Sequence, residues 1–253
     1  MKFSIVIPII PKHHKFLPSL IKSLAKNTVD IQEILIISSS TDESSELKLR
    51  NLIKSLNLDL TIQVMAITSR QSAGENRNSG WNAATAEYVM FLDADDWYST
   101  DRTCVISKVI EATSADLIIH NYWSFKPRFF LKQNVSLDMT KWLRSQELIA
   151  STWEGGARNV NQELGIRGDT NIIARDRFGH SWPIQQGHVT IRREIDIRFA
   201  SRYGEDGLML RDALQRGFEV LYIPNKLSIY NRISLHFLLR STYRRFKGLF
   251  LVN

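Results

Sequence analysis

Phe3-Ser4-Ile5-Val6-Ile7-Pro8-Ile9-Ile10 opens the chain as a short apolar, largely β-branched run that ends at Pro11. Such a run predicts a strand buried on both faces. Working outward from it, Phe16, Leu17, Leu20, Ile21, Leu24 and Ala25 recur at helical spacing, with Pro18 in the first turn, where its missing N–H is tolerated. Glu33-Ile34-Leu35-Ile36-Ile37 predicts a second buried strand, which runs into Ser38-Ser39-Ser40-Thr41-Asp42. Leu49, Leu52, Ile53 and Leu56 mark a second helix, and Leu60–Met65 a third strand. Strand, helix, strand, helix, strand implies an α/β fold whose parallel sheet is joined by right-handed crossovers. Tyr88–Leu92 supplies a fourth strand, Asp116–Ile119 a fifth, and Phe218–Ile223 a late one closed by Pro224. Residues 121–185, aromatic, basic and glycine-containing, predict loops and short helices laid over the sheet. With no internal repeat or low-complexity linker, residues 1–225 read as one α/β domain and 226–253 as a tail.

Composition narrows the function classes. At 253 residues, 43% hydrophobic and 23% charged, the chain excludes a disordered or collagen-like protein. The one cysteine, Cys104, excludes an internal disulfide framework and a cysteine zinc cluster, and it fits a reducing, cytoplasmic compartment. No run reaches the ~18 apolar residues of a membrane span, and the start lacks the pattern of a signal peptide. Of the net charge of +7, six charges (Lys226, Arg232, Arg240, Arg244, Arg245, Lys247) lie after Asn225 with no acidic residue among them, leaving +1 for the rest. A near-neutral body argues against a nucleic-acid partner.

In open α/β sheets ligands bind beyond the carboxyl ends of the strands. Ser38–Asp42 and Asp93–Asp96 both follow such ends. Three aspartates within Asp93-Ala94-Asp95-Asp96 would suit a solvated turn or a helix cap. Directly after a buried strand, however, like charges repel unless a cation or hydrogen bonds offset them. Carboxylate oxygens without cysteine suit Mg²⁺ or Mn²⁺, completed by substrate phosphates. Upstream, Gly74 permits close backbone approach, and a helix start carrying Arg77 suits a phosphate, although an arginine alone is more often an ion-pair residue.

The stretch Ser72–Trp97, SAGENRNSGWNAATAEYVMFLDADDW, resembles the glycosyltransferase family 2 pattern G-x-x-x-A-R-N-x-G-x-x-x-A-x-G-x-Y-I-x-F-L-D-x-D-D at matching spacing. Glu205-Asp206-Gly207-Leu208-Met209-Leu210-Arg211, at the start of a predicted helix, resembles the same family's E-D-x-x-L-x-x-R motif. The resemblance implies a GT-A fold, a Rossmann-like and mostly parallel sheet flanked by helices, that inverts a sugar in moving it from a nucleotide donor. It implies donor binding by Pro8, Ser38, Ser39, Arg77, Asn78 and Asp93, with Asp93 on the nucleoside. It further implies Mn²⁺ or Mg²⁺ on Asp95 with Asp96 in support, and Asp206 as the general base with Glu205 second. Two departures stand out. Where the family reads D-D-G-S-T-D this chain reads Ser38-Ser39-Ser40-Thr41-Asp42, and a serine does not replace a carboxylate that accepts from a uracil N–H. Asn76 stands where the family usually has alanine, which reads as a minor change.

His180, His188, Trp153, Trp182 and Arg167 fall on the expected acceptor side, and His236 is a weaker candidate ligand than a tail histidine. Leu235, Leu239, Tyr243, Phe246 and Phe250, flanked by Arg240, Arg244 and Lys247, predict a basic amphipathic helix. It suits either packing on its own domain or on a second subunit, as in a homodimer, or contact with an anionic membrane surface on the inner face, where a lipid-linked acceptor would lie. The expected function is thus metal-dependent inverting transfer from a nucleotide-diphosphate sugar to a glycan or glycolipid hydroxyl. A non-catalytic nucleotide or glycan binder is the alternative. So is a nucleotidyltransferase, which would want glycines in Pro11-Lys12-His13-His14-Lys15.

Overall fold

The computed structural model describes residues 1–100, 102–125, 189–202 and 204–231. The strands are β1 Phe3–Ile9, β2 Ile31–Ser39, β3 Ile62–Ile67, β4 Tyr88–Phe91, β5 Trp97–Tyr98, β6 Leu117–Phe125, β7 Val189–Arg192 and β8 Val220–Asn231. The helices are α1 Leu17–Leu24, α2 Glu43–Ser55, α3 Ala73–Ala83, α4 Arg102–Thr113 and α5 Glu205–Gln215. The strands form one sheet in the order β3-β2-β1-β4-β7-β6-β8-β5. β1 pairs in parallel with β2 and β4, β2 with β3, and β6 with β8, whereas β7 runs antiparallel to both neighbours. The architecture is therefore the mostly parallel, helix-flanked sheet expected of GT-A.

The core follows from the apolar runs. Ile5, Ile7, Ile34, Ile36, Val89 and Phe91 are fully buried, since crossover helices cover both faces of the parallel strands. Gly80 lets α3 lie close on the sheet: a Cβ there would stand 2.4 Å from Val6 Cγ1 and 3.0 Å from Ile37 Cγ1. Asp42, the last residue of the serine-rich turn, caps α2 by accepting from the Ser45 N–H. Ser40 just before it takes a left-handed backbone, φ 54°.

Strands β5, β6, β7 and β8 differ from the sequence expectation. β5 and β7 span two and four residues, too short for periodicity to reveal, and they are held by pairing with distant partners. β8 continues past Pro224 to Asn231. The register against β6 steps from Ile223 opposite His120 to Lys226 opposite Asn121, so Pro224 sits in a bulge where no N–H is required. Residues 121–125, expected as loop, are the end of β6.

At the amino ends of the strands, away from the expected site, Glu33 ties several elements together. Its Oε1 accepts from Ser4 Oγ, Thr85 N and Thr85 Oγ1, each at 2.7 Å, and its Oε2 from Gln63 Nε2 at 3.1 Å. Burial pushes the carboxyl pKa up, but the Thr85 and Ser4 hydrogen bonds outweigh it and hold the pKa below the ordinary value of 4.5. The folded state thus binds this proton less tightly than the unfolded chain. The stabilisation is present above pH 4.5 and is lost as pH falls through the folded value. Glu33→Gln is expected to cost about 1–3 kcal/mol at pH 7. Its unfolding midpoint should also fall less steeply than the wild type's on acidification, as read by melts across that range.

Candidate functional site

The sheet order places β1 between β2 and β4, so the chain leaves β1 toward one side and returns on the other. That reversal makes the carboxyl ends of β1 and β4 a topological switch point, where the crevice of an open α/β sheet opens. The 3₁₀ turn Pro11–Phe16 follows β1, and Asp93–Asp96 follows β4.

Arg77, on α3, joins the two halves of the site. Its side chain is 3% exposed. Nη2 donates to Asp93 Oδ1 at 2.6 Å and Nη1 to Glu205 Oε1 at 3.3 Å. A guanidinium with five donors in a rigid fork can bridge two carboxylates in this way, which a lysine ammonium cannot reproduce. The sequence sets Arg77 toward a phosphate; in the structure it pairs with Asp93 and Glu205. It brings the acidic turn after β4 and the start of α5 to one place, although they are far apart in the chain.

The segment leading into α5 is strapped to α3. Asn78 Nδ2 donates to the Phe199 carbonyl at 2.8 Å, and its Oδ1 accepts the Phe199 N–H at 3.0 Å. Trp81 Nε1 donates to the Arg193 carbonyl at 2.9 Å. The Phe199 ring meets Phe91 edge-on at 4.9 Å and lies 5.7 Å beneath the Arg77 guanidinium. Gly74 belongs to the same seam, because a Cβ there would stand 2.2 Å from the Ala200 carbonyl oxygen. The close approach that Gly74 permits is to the chain's own backbone. The first turn of α3 is likewise closed by its own capping box, with Ser72 Oγ accepting from Glu75 N and Glu75 Oε2 from Ser72 N. Asn78 and this helix start, both expected at the donor, are thus engaged in packing.

The acidic turn is held from below by Tyr98. The Asp93 N–H donates to the Tyr98 hydroxyl at 2.9 Å, and Asp96 N donates to the Asp93 carbonyl at 3.2 Å. Arg102 stacks its guanidinium 5.1 Å from the Tyr98 ring centre and donates from Nε to His120 Nε2 at 2.8 Å. Burial pushes the Arg102 pKa down to about 10, with Tyr98 opposing the fall. Neither Tyr98 nor Arg102 figured among the expected site residues; the signal is their spacing right after the acidic turn.

Asp95 has its pKa raised, first by burial and then by the charge of Asp93. A carboxylate so placed gains from a nearby cation, so the donor set fits a hard divalent ion. Among the described residues, no group of three His, Cys, Asp or Glu side chains is gathered to hold an ion alone. Asp95, with Asp96 (3% exposed) beside it, would therefore need substrate phosphate oxygens to complete the shell. At α5, Asp206 Oδ1 accepts from the Gly207 N–H at 2.7 Å. Glu205 Oε1 is paired with Arg77 Nη1 at 3.3 Å.

Pro8 lies in β1 opposite Ile37, half-buried. Ser38 and Ser39 are fully buried and bonded internally. Ser39 Oγ accepts from Asn76 Nδ2 at 2.9 Å, and Ser38 Oγ lies 2.7 Å from Thr41 Oγ1 and 3.0 Å from His14 Nε2. The substitution read as minor, Asn76, is therefore in direct contact with one of the serines that depart from the family pattern. His180, His188, His236, Trp153, Trp182, Arg167 and the tail 235–253 lie outside the described residues. Among the described residues, no helix is long and apolar enough to cross a membrane.

The model for glycosyl transferase family 2 matches residues 4–196. Glycosyltransferase GlyG of Streptococcus pneumoniae serotype 4 is 26% identical over 240 residues, 91% of this chain and 71% of GlyG. Another curated relative is matched over 17% of its own length. The crystal structure of Staphylococcus aureus TarS 1–349 with UDP-GlcNAc superposes with a TM-score of 0.64 at 16% identity, over 92% of this chain and 59% of that one. TarS is described as a poly(ribitol-phosphate) beta-N-acetylglucosaminyltransferase. Glucosyl-3-phosphoglycerate synthase from Mycobacterium tuberculosis, solved with Mn²⁺, UDP and phosphoglyceric acid, superposes with a TM-score of 0.55 at 14% identity, over 94% of this chain and 73% of that one.

Proposed function

The chain belongs to glycosyl transferase family 2, and from that premise we propose that it moves a hexosyl unit from a nucleotide-diphosphate donor to a hydroxyl of a glycan or glycolipid, with inversion and with a divalent cation, in the making of a bacterial surface polysaccharide. The observation that carries this reading is the Arg77 bridge, which gathers Asp93 and the Glu205-Asp206 pair at the switch-point crevice. The named ligands of the two structural neighbours, a UDP-sugar in one and UDP with Mn²⁺ in the other, support the donor class and the ion.

Direct displacement needs a base on the acceptor side and stabilisation of charge on the leaving diphosphate. In this proposal Asp206 takes the acceptor proton, since Glu205 is paired with Arg77. Asp93 orients the nucleoside, itself oriented by Arg77 and Tyr98. Asp95, supported by Asp96, would hold Mn²⁺ or Mg²⁺, whose positive charge would offset the charge of the departing diphosphate.

A thermal-shift series with nucleotide sugars tests the donor class. A donor at about 100 times its dissociation constant should stabilise the protein by roughly 2.7 kcal/mol, a shift on the order of 5–10 °C. The shift should appear with Mn²⁺ and vanish with EDTA or in Asp95→Ala. No shift with any nucleotide sugar would overturn the reading. A metal-dependent shift without turnover, acceptor supplied, would favour a non-catalytic binder.

A further inference from the structure

We propose that His14 reads the base of the donor nucleotide through a hydrogen bond accepted at Nδ1, and so selects bases that carry a ring imide N–H. This deepens the donor reading above and rests on it. Ser38, Ser39 and Thr41, at and just after the carboxyl end of β2, are 0, 0 and 1% exposed, so a ligand in the crevice does not reach their hydroxyls. His14, in the turn after β1, is half-buried, and its Nε2 lies 3.0 Å from Ser38 Oγ. Its neighbour His13 is close enough to Asp93 to feel that carboxylate's charge, and the turn and the acidic loop follow the adjacent strands β1 and β4.

Counting protons then assigns the imidazole tautomer. We assign the one hydroxyl proton of Thr41 to the Ser39 carbonyl, which can only accept, at 3.2 Å. Thr41 Oγ1 must therefore accept at its 2.7 Å contact with Ser38, which spends the proton of Ser38. Ser38 Oγ in turn can only accept at its 3.0 Å contact with His14, so the proton of the neutral ring sits on Nε2. Nδ1 is left as a lone-pair acceptor, and no hydrogen-bond partner for it occurs among the described residues. Burial disfavours a charged ring, so the acceptor form is the resting one.

A lone acceptor at the switch point discriminates by the base edge it meets. Uracil, thymine and guanine present a ring N–H. Cytosine and adenine present an acceptor nitrogen at the equivalent place, which would leave two lone pairs opposed. The buried relay Thr41–Ser38–His14 holds the ring from turning to offer N–H instead, because a flip would leave Ser38 Oγ without its donor. His14 is thus the specificity-determining residue, and Ser38 positions it.

The test is calorimetric titration of UDP, dTDP, GDP, CDP and ADP in the presence of Mn²⁺. The wild type should bind the best of the first three about tenfold more tightly than either CDP or ADP. His14→Phe should abolish the preference, and His14→Gln, which can both donate to Ser38 and accept from the base, should keep it. Equal or tighter binding of CDP or ADP by the wild type, or an undiminished preference in His14→Phe, would overturn the assignment while leaving the donor reading intact. Failure to bind any of the five would remove both. Should His14→Phe not fold, nitrogen-15 NMR of the wild-type ring decides the same question: the Nε2–H tautomer is expected, and the Nδ1–H tautomer would overturn the proposal.

Discussion

Arg77→Leu is expected to lower the unfolding midpoint by about 10 °C and to abolish activity. The leucine fills much of the volume but leaves Asp93 and Glu205 facing each other without the cation that lies between them. Removing one partner of a buried ion pair costs about 3–5 kcal/mol, because the remaining charge is stranded out of water. The lower end applies here, since the Asp93 side chain keeps 23% of its exposure and water can partly solvate it. For a domain of this size each kcal/mol moves the midpoint by roughly 2–4 °C. Arg77→Lys should recover part of the stability, since one ammonium can serve Asp93 or Glu205 but not both. Melts of the two variants check the argument. A leucine variant melting with the wild type would mean that the bridge contributes nothing.

Asp206→Asn should reduce turnover by about 10³-fold while leaving nucleotide affinity unchanged. General-base catalysis contributes roughly 10²–10⁴. The amide keeps an oxygen for the Gly207 N–H, so the start of α5 should be preserved. Steady-state rates and a donor titration on the same preparation separate the two effects. A rate within tenfold of the wild type would move the base elsewhere. Glu205 is a poor second candidate, because its Oε1 is already engaged by the Arg77 guanidinium at 3.3 Å.

These two residues mark the limits of what the sequence discloses. β1, β2 and β4 were legible because a strand buried on both faces is a continuous apolar run, β3 because exposed Gln63 and Met65 alternate with half-buried Ile62 and Val64, and α1 and α2 because their apolar residues recur at helical spacing. The acidic turn was legible because a motif of close-set residues needs no knowledge of the fold. The role of Arg77 was not: one of its partners stands well away in the chain, and α5 is brought back to α3 by tertiary contacts such as Asn78 with Phe199 and Trp81 with Arg193. Gly74 shows the same limit. Its close contact was foreseeable, but the identity of the contacting atom, the Ala200 carbonyl, was not. β7 gives no periodic signal in four residues, and Pro224 misleads because a bulge removes the requirement that normally excludes proline from a strand. The serine turn after β2 was recognised as a departure from the family. Its consequence, that His14 covers it, depends on contacts between separate elements.

The most direct measurement follows the anomeric proton by NMR as the protein turns over a nucleotide sugar, with water or an added glycan as acceptor. The account predicts that the first-formed product has the anomeric configuration opposite to that of the donor, and that it forms only while Mn²⁺ or Mg²⁺ is present. A first-formed product with the configuration retained, or one that accumulates equally in EDTA, would contradict it.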